Sequence, residues 1–271
     1  MKKGAKILYV CQELMPYLPE NKISVLCRQL PQQIQEKGGE IRTFMPRFGS
    51  VNERRNQLHE VIRLSGMNII IDDSDHQLII KVASIPSARM QVYFIDNDDY
   101  FNRKFEVKDA DGTYFADNDE RSLFFARGII ETASKLRWSP DIVHCHGWFS
   151  AIMPVYIKRL YSDNPLFAHS KIIISLYADS FTGSMNENFA SKLQSEGVKH
   201  EELNILQDPT HENLLKFAIQ YADGVVITDK DVNPSIIEFA KGSGTKVLEI
   251  TDEENYAESY ASFYDSILLP E

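Results

Sequence analysis

The chain has 271 residues, 43% of them hydrophobic and 25% charged, which is the composition of an ordinary globular protein with one large core or two small ones. Twenty-nine basic residues against thirty-nine acidic ones give a net charge of −10. This balance argues against a nucleic-acid partner, because such surfaces need clustered Lys and Arg to displace counterions from phosphates. No apolar run approaches the roughly 20 residues that span a bilayer, so we predict no membrane partner.

The cysteines and the first residues indicate a cellular compartment. Cys11, Cys27 and Cys145 form an odd set without paired spacing, which argues against a disulfide framework. The start of the chain is basic, but the apolar run behind it, Ile7 to Cys11, is too short for a signal peptide. We therefore predict a cytoplasmic protein.

The first elements predict a β-α-β unit. Lys6 to Cys11 is a continuous apolar run, typical of a parallel strand buried on both faces. Ser24 to Lys37 has apolar residues at helical spacing and is stopped by two glycines. Glu40 to Met45 then predicts a second strand.

The middle of the chain has a different pattern. His59 to Ile71, Gln77 to Ala83 and Met90 to Asp96 are rich in β-forming residues, and we expect them to extend the sheet as an antiparallel hairpin or meander over residues 59–96. Asn97 to Asp119 predicts a long loop with a short helix, and loops of that length are often functional.

The second half alternates between predicted helices and strands, as in a doubly wound, mostly parallel α/β sheet. Only Ala178 to Gln207 gives no clear prediction. We expect a single Rossmann-like domain over residues 1–271 that ends in a closing helix at residues 252–268. The predicted helices are Asn118–Trp138, Trp148–Tyr161, Glu212–Tyr221, Pro234–Lys241 and Thr251–Leu268, and the strands are Asp141–Cys145, Lys171–Leu176, Asp223–Thr228 and Lys246–Ile250.

Ligands of an open parallel sheet bind beyond the carboxyl ends of its strands. The connection after Cys11 contains neither G-x-G-x-x-G nor a Walker motif, so an ordinary dinucleotide site is not expected. His144 and His146 flank Cys145 at the end of a strand and face the same side. They could be buried and hydrogen-bonded to neighbours, could bind a sugar hydroxyl, or could bind a metal; we predict no metal site, because partner ligands at suitable spacing are absent.

Several segments resemble the glycogen/starch synthase family, in family order from about residue 6 to residue 240. Asp141 to Lys158 resembles its D-V-V-H-x-H-D-W-H-x-x-L-x-P-x-Y-L-K segment. The other landmarks are Lys6 to Glu13 with Pro16 (S-E-x-x-P), Leu30-Pro31 (L-P), Pro46 to Phe48 (L-P-R-Y), Tyr93 to Asp96 with Tyr100 to Arg103 (Y-x-I-D…Y-x-R), Asp117 to Phe125 (D-N-x-x-R-F-x-x-F) and Lys216 to Thr228 (K-x-G-x-x-Y-A-D-x-x-T-T).

The resemblance implies a fold and a chemistry. Enzymes of this family transfer glucose from ADP-glucose to an α-1,4-glucan, in a cleft between two Rossmann-like domains of a GT-B architecture, and this bacterial-type chain resembles the first domain. The resemblance implies catalytic positions for His146, which matches the family's donor-glucose histidine, and for Asp117, which matches a pocket aspartate. It implies no cofactor or metal, with ADP-glucose or ADP as a ligand.

Three departures from the family pattern concern the donor site. The family's K-T-G-G-L segment aligns with Pro19 to Ile23, so its glycines become Asn21 and Lys22, which cannot approach a nucleotide as closely. H-D-W-H has become His146-Gly147-Trp148-Phe149. We also expect no second domain within these 271 residues. We therefore expect no independent glucosyl transfer.

The sequence thus predicts a domain that binds a glucan or small sugar or assists a true synthase. Two alternatives remain open: a transferase completed by a partner protein or a homodimer, and an unrelated small-molecule enzyme that uses His144 or His146 as acid or base. For the predicted sugar-binding domain, the candidate contacts are His146, Asp117, Tyr100, Asn118, Trp148 and, as a substitute cation, Lys22.

Overall fold

The computed structural model describes residues 2–251 and 255–269. The strands in these ranges are β1 (Lys6–Cys11), β2 (Glu40–Pro46), β3 (His59–Glu60), β4 (Met67–Ile71), β5 (Ser74–Ile85), β6 (Met90–Asp96), β7 (Ile142–His146), β8 (Lys171–Leu176), β9 (Gly224–Ile227) and β10 (Lys246–Glu249). The α-helices are α1 (Lys22–Glu36), α2 (Asp98–Phe101), α3 (Asn118–Lys135), α4 (Met153–Val155), α5 (Phe189–Ser195), α6 (His211–Ile219), α7 (Pro234–Gly242) and α8 (Tyr256–Leu268).

One mixed sheet organises these elements. Its strand order is β10-β9-β8-β7-β1-β2-β6-β5-β3, and β4 pairs with β5 outside this path. The seven strands from β10 to β6 run parallel, whereas β5 is antiparallel to β6 and forms an antiparallel hairpin with β4. The predicted mostly parallel α/β fold with an antiparallel extension is therefore confirmed. Strands β1, β2 and β6 follow one another across the sheet in one direction, and β7, β8, β9 and β10 follow one another in the opposite direction. The winding therefore reverses between β1 and β7.

Burial follows from this arrangement, because helices cover the central parallel strands. Every residue of β1 after Lys6 is buried, as is the whole of β7. On one face, α8 packs so closely that Phe263 and Ile267 lie where a side chain on Gly224 of β9 would be. The start of α1 is fixed by a capping box: Asn21 accepts a hydrogen bond from the Ser24 backbone (2.8 Å), and Ser24 accepts one from the Asn21 backbone (2.9 Å).

Two sequence predictions differ from the structure, and a third stretch had no prediction. Trp148 to Tyr161 is not one helix but a 3-10 turn (Trp148–Ser150), α4 and a π-helical turn (Tyr156–Leu160). His59 to Ile71 is divided by a turn into β3 and β4. The unassigned stretch Ala178 to Gln207 contains α5 and a 3-10 helix at His200–Gln207. The predicted closing helix is present as α8, and residues 252–254 of that prediction lie outside the described residues.

Candidate functional site

The carboxyl ends of three neighbouring strands form one edge of the sheet. Cys11 of β1 pairs with His146 of β7, which in turn pairs with Ser175 of β8. The winding reverses between β1 and β7, and open α/β sheets bind ligands at such reversals. A cavity of about 290 Å³, here called the edge cavity, lies at this point. It is lined by Gln12, Glu13, Leu18, Pro19, Asn21, Glu106, Val107, Lys108, Tyr114, Trp148, Asp179 and Ser180.

Gly147 gives the connection after β7 its path. Its φ is +83°, in the region that glycine tolerates best, and an added Cβ would lie 2.7 Å from the Gln12 side chain. Gln12 Oε1 accepts a hydrogen bond from the Phe149 backbone at 2.9 Å. Gly147 stands where the family pattern has an acidic residue. Its lack of a side chain therefore allows the connections after β1 and β7 to come into close contact.

Of the three carboxylates that line the edge cavity, Glu13 and Asp179 follow strands of the parallel sheet. Glu13 accepts hydrogen bonds from Gln12 (3.3 Å) and from the Asn21 amide. Asp179 follows β8, and its Oδ2 is buried without a hydrogen-bond partner among the described residues. Burial and then the nearby charge of Glu13 raise the pKa of Asp179 to about 7, although the backbone N–H groups of Trp148 and Asp179 act in the opposite direction. The Asp179 carboxyl can therefore exchange a proton near neutral pH.

Aromatic rings form another wall of this cavity. The ring centroids of Trp148 and Phe181 are 4.9 Å apart, and Tyr114 lies 6.4 Å from Trp148. The Tyr114 hydroxyl donates a hydrogen bond to the Ser180 carbonyl at 3.0 Å, which joins the 102–117 loop to the connection after β8. Trp148 is only 3% exposed, so it contributes an edge to the cavity and not an open stacking platform.

Both histidines of β7 are completely buried, with centroids 4.0 Å apart. His144 shares hydrogen bonds with Tyr264 (2.7 Å) and Ser175 (2.8 Å). His146 shares one with Tyr177 through Nδ1 (2.7 Å), while its Nε2 has no partner among the described residues. Burial lowers the pKa of His146 to about 3 and that of His144 well below its usual value, so both are neutral at pH 7.

Asp117 and Asn118 are joined to arginines. Arg103 forms a bidentate ion pair with Asp117 (2.7 Å for the Nη1 contact), and this partner lowers the Asp117 pKa although burial opposes the ionised form. Asn118 accepts from Arg121 (2.6 Å) and donates to the Val107 carbonyl (2.7 Å). Asn118 also lines a smaller cavity of about 70 Å³ beside Trp148. Both residues therefore already support the 102–117 loop.

Tyr100 and Lys22 lie away from the edge cavity. The Tyr100 hydroxyl is buried between His76 (2.9 Å) and Glu120 (3.0 Å). Lys22 pairs with Asp229 at 3.4 Å. It lines a larger cavity of about 600 Å³ between α1 and α8, with Glu20, Asn21, Val25, Leu26, Gln29, Thr228, Ile250, Tyr256 and Tyr260. The structure thus brings Trp148 to the edge cavity but places His146 beneath it.

Sequence reasoning missed Asp179 and did not single out Glu13 as a site residue. Glu13 follows β1 by two residues, and Asp179 follows β8 by three. This position after buried strands was the available signal. It was not used for Asp179, because the segment from Ala178 has no regular pattern.

The described residues hold neither a candidate metal site nor a candidate membrane-spanning helix. Within residues 2–251 and 255–269, no group of three or more His, Cys, Asp or Glu side chains is arranged to hold a metal ion. No helix in these ranges is both long and apolar enough to cross a membrane.

Comparison with known proteins defines the class. A family model described as the starch synthase catalytic domain matches residues 6–248. The chain therefore belongs to the glycogen/starch synthase family.

Particular relatives extend this comparison. The chain is 30% identical over 254 residues to a glycogen synthase of Chlorobium limicola, covering 93% of this chain and 51% of the relative. It is 32% identical over 229 residues to a glycogen synthase of Chlorobaculum tepidum, covering 84% and 46%. The chain thus spans about half the length of these relatives. The catalytic domain of Arabidopsis thaliana starch synthase IV, bound to ADP and acarbose, has the same fold (TM-score 0.71, 18% identity, 92% of this chain and 51% of that chain).

Proposed function

We propose that this chain is a glycogen/starch synthase-like domain that binds a glucan or small sugar in the edge cavity and does not transfer glucose from ADP-glucose on its own. The observation that carries the proposal is the occupation of the α1 N-terminus by Asn21, where the family has a donor-binding glycine. We expect it to act in the cytoplasm, alone or beside a complete synthase.

The donor segment supports the absence of transfer. A diphosphate leaving group needs backbone N–H donors and cations directed at it. Here the Asn21 side chain accepts from the Ser24 N–H and donates to Glu13, so the first turn of α1 carries an amide cap with a carboxylate beside it. Lys22 is paired with Asp229. These contacts would have to break before a nucleotide diphosphate could bind there.

The edge cavity supports sugar binding. It combines an aromatic edge (Trp148 and Tyr114) with hydrogen-bonding groups on Glu13, Lys108 and Asp179, the mixture by which pockets orient polyhydroxylated ligands. The Arabidopsis starch synthase IV domain, which has the same fold, was solved bound to acarbose and to ADP. In the proposal, this chain retains the first type of ligand and loses the second. His146, Asp117 and Asn118 then act by supporting the cavity walls.

Isothermal titration calorimetry tests the proposal. The purified chain is titrated with maltotetraose, ADP and ADP-glucose, and the variant Trp148→Phe serves as the cavity probe. We expect heat from maltotetraose only, and weaker binding to Trp148→Phe. Binding of ADP but not of maltotetraose would overturn the proposal.

A second candidate function has one observation in its favour, the coverage of only about half of each relative. In this version, a second chain supplies the donor-binding half, and a homodimer or hetero-complex transfers glucose. A rise in transfer rate per molecule with protein concentration would favour it. The third alternative is an unrelated enzyme that uses His144 or His146 as acid or base. The complete burial of both side chains argues against it.

A further inference from the structure

The Asp179 carboxyl is placed to accept a hydrogen bond from a ligand. The residue is partly buried, it lines the edge cavity, and its buried Oδ2 has no hydrogen-bond partner in residues 2–251 and 255–269. A buried polar atom without a partner costs free energy, unless a ligand or water completes its hydrogen bonding.

The charges around the cavity restrict the ligand. The titratable groups that line it are Glu13 from the connection after β1, Glu106, Lys108 and Tyr114 from the 102–117 loop, and Asp179 itself. Three carboxyl groups thus face one ammonium group. An anionic ligand would meet repulsion in a partly enclosed space, where screening by water is weak.

We infer that Asp179 is the specificity-determining residue of the edge cavity, accepting a hydrogen bond from a hydroxyl of an uncharged saccharide and, with Glu13, rejecting phosphorylated sugars. This inference rests on the proposed function and adds the substrate class and the residue that selects it. The hydrogen bond is charge-assisted when Asp179 is ionised, so the complex favours the carboxylate over the carboxylic acid.

The pH dependence follows with a definite sign. The pKa of Asp179 is raised to about 7 in the free protein, so protonation competes with saccharide binding below that pH. If only the carboxylate form binds, affinity rises by about tenfold from pH 6 to pH 8. Replacement of Glu13 by Gln removes the neighbouring charge, and the midpoint of this rise moves to lower pH.

Calorimetric titrations at pH 6, 7 and 8 test the inference, with maltotetraose and maltose 1-phosphate as ligands. The variants are Asp179→Asn, Glu13→Gln and the matched control Asp163→Asn, which alters an exposed carboxylate elsewhere. Circular dichroism and thermal unfolding establish that each variant is folded. We expect Asp179→Asn to bind maltotetraose about tenfold more weakly at pH 8 and without pH dependence, and Asp163→Asn to match the parent protein.

The outcomes separate this inference from the proposed function. If the parent protein binds maltotetraose but Asp179→Asn keeps the same affinity and pH profile, the inference fails and the proposed function stands. Equal binding of maltose 1-phosphate also overturns the inference. Absence of binding by every saccharide overturns both. If Asp179→Asn is unfolded, a flat pH profile in the parent protein, or an unmoved midpoint in Glu13→Gln, still contradicts the inference.

Discussion

Gly147 and Gln12 are in direct contact across the junction of β1 and β7, with 2.7 Å between the position of a Gly147 Cβ and the Gln12 side chain. The same Gln12 side chain accepts the Phe149 N–H and donates to Glu13. The residue that replaces a family acid is therefore coupled to the wall of the edge cavity. Because of this contact, the connection after β7 has no room for a side chain at position 147.

Gly147→Ala should destabilise the protein by about 1–3 kcal/mol, because it adds both backbone strain and a collision with Gln12. Gly112→Ala is the matched control: Gly112 has a similar φ of +85°, but no atom lies within 4 Å of its added Cβ. Urea unfolding of both variants separates the two effects. Equal losses for the two would contradict the role of the Gln12 contact.

Lys192→Met should cost about 3–5 kcal/mol of unfolding free energy, because it leaves the buried Asp119 carboxylate without its cation. Lys192 Nζ lies 2.7 Å from Asp119, which is fully buried, and 2.6 Å from Glu120. This pair ties α5, which follows the Asp179 connection, to the start of α3. Lys230→Met, at an exposed position, should change stability little. Chemical denaturation measures both, and similar values would show that the buried ion pair is unimportant.

Stability should fall as the pH is lowered below about 6.5, because the unfolded chain protonates its histidines while His144 and His146 stay neutral in the fold. The pKa of His146 is lowered to about 3 by burial, so its contribution is complete above pH 6.5 and is lost progressively toward pH 3. Each such histidine contributes about 1.4 kcal/mol per pH unit in that window.

The variant His146→Gln isolates this effect, since Gln does not titrate. The pH dependence of its unfolding free energy between pH 6 and pH 4.5 should be shallower than that of the parent protein by about one proton. His169→Gln, at an exposed histidine, is the control and should leave the slope unchanged. An unchanged slope in His146→Gln would show that His146 is protonated in the fold.

Tryptophan fluorescence should report ligand binding at the edge cavity. The chain has two tryptophans, and only Trp148 lines this cavity, whereas Trp138 lines a cavity with Arg42 and Tyr93. In the variant Trp138→Phe, maltotetraose should change the emission of Trp148 in a saturable manner. The complementary variant Trp148→Phe should give no saturable change, and a response there would place the ligand elsewhere.

Much of the fold could be predicted from the sequence, because buried parallel strands are continuous apolar runs. Met90–Asp96 and Lys171–Leu176 match β6 and β8 at both ends. The first residue of α7 was also predicted, since Pro234 suits the first position of a helix.

The remaining features depend on contacts distant in sequence. Trp148 to Tyr161 has a helical pattern, but Pro154 cannot donate a backbone hydrogen bond, and the segment forms three short turns of different kinds. Of the predicted site residues, Trp148 reaches the edge cavity, whereas Tyr100 is held by His76 and Glu120. The raised pKa of Asp179 depends on burial in the fold and then on Glu13, far away in the chain, so no local pattern could indicate it.

We propose that the chain binds a glucan without extending it. The direct measurement is incubation of the purified protein with radiolabelled ADP-glucose and maltotetraose, followed by separation of the oligosaccharides by length. The account predicts that maltotetraose stays unlabelled at a concentration where calorimetry shows that it is bound. Labelled maltopentaose that accumulates with time, in proportion to the protein added, would contradict it.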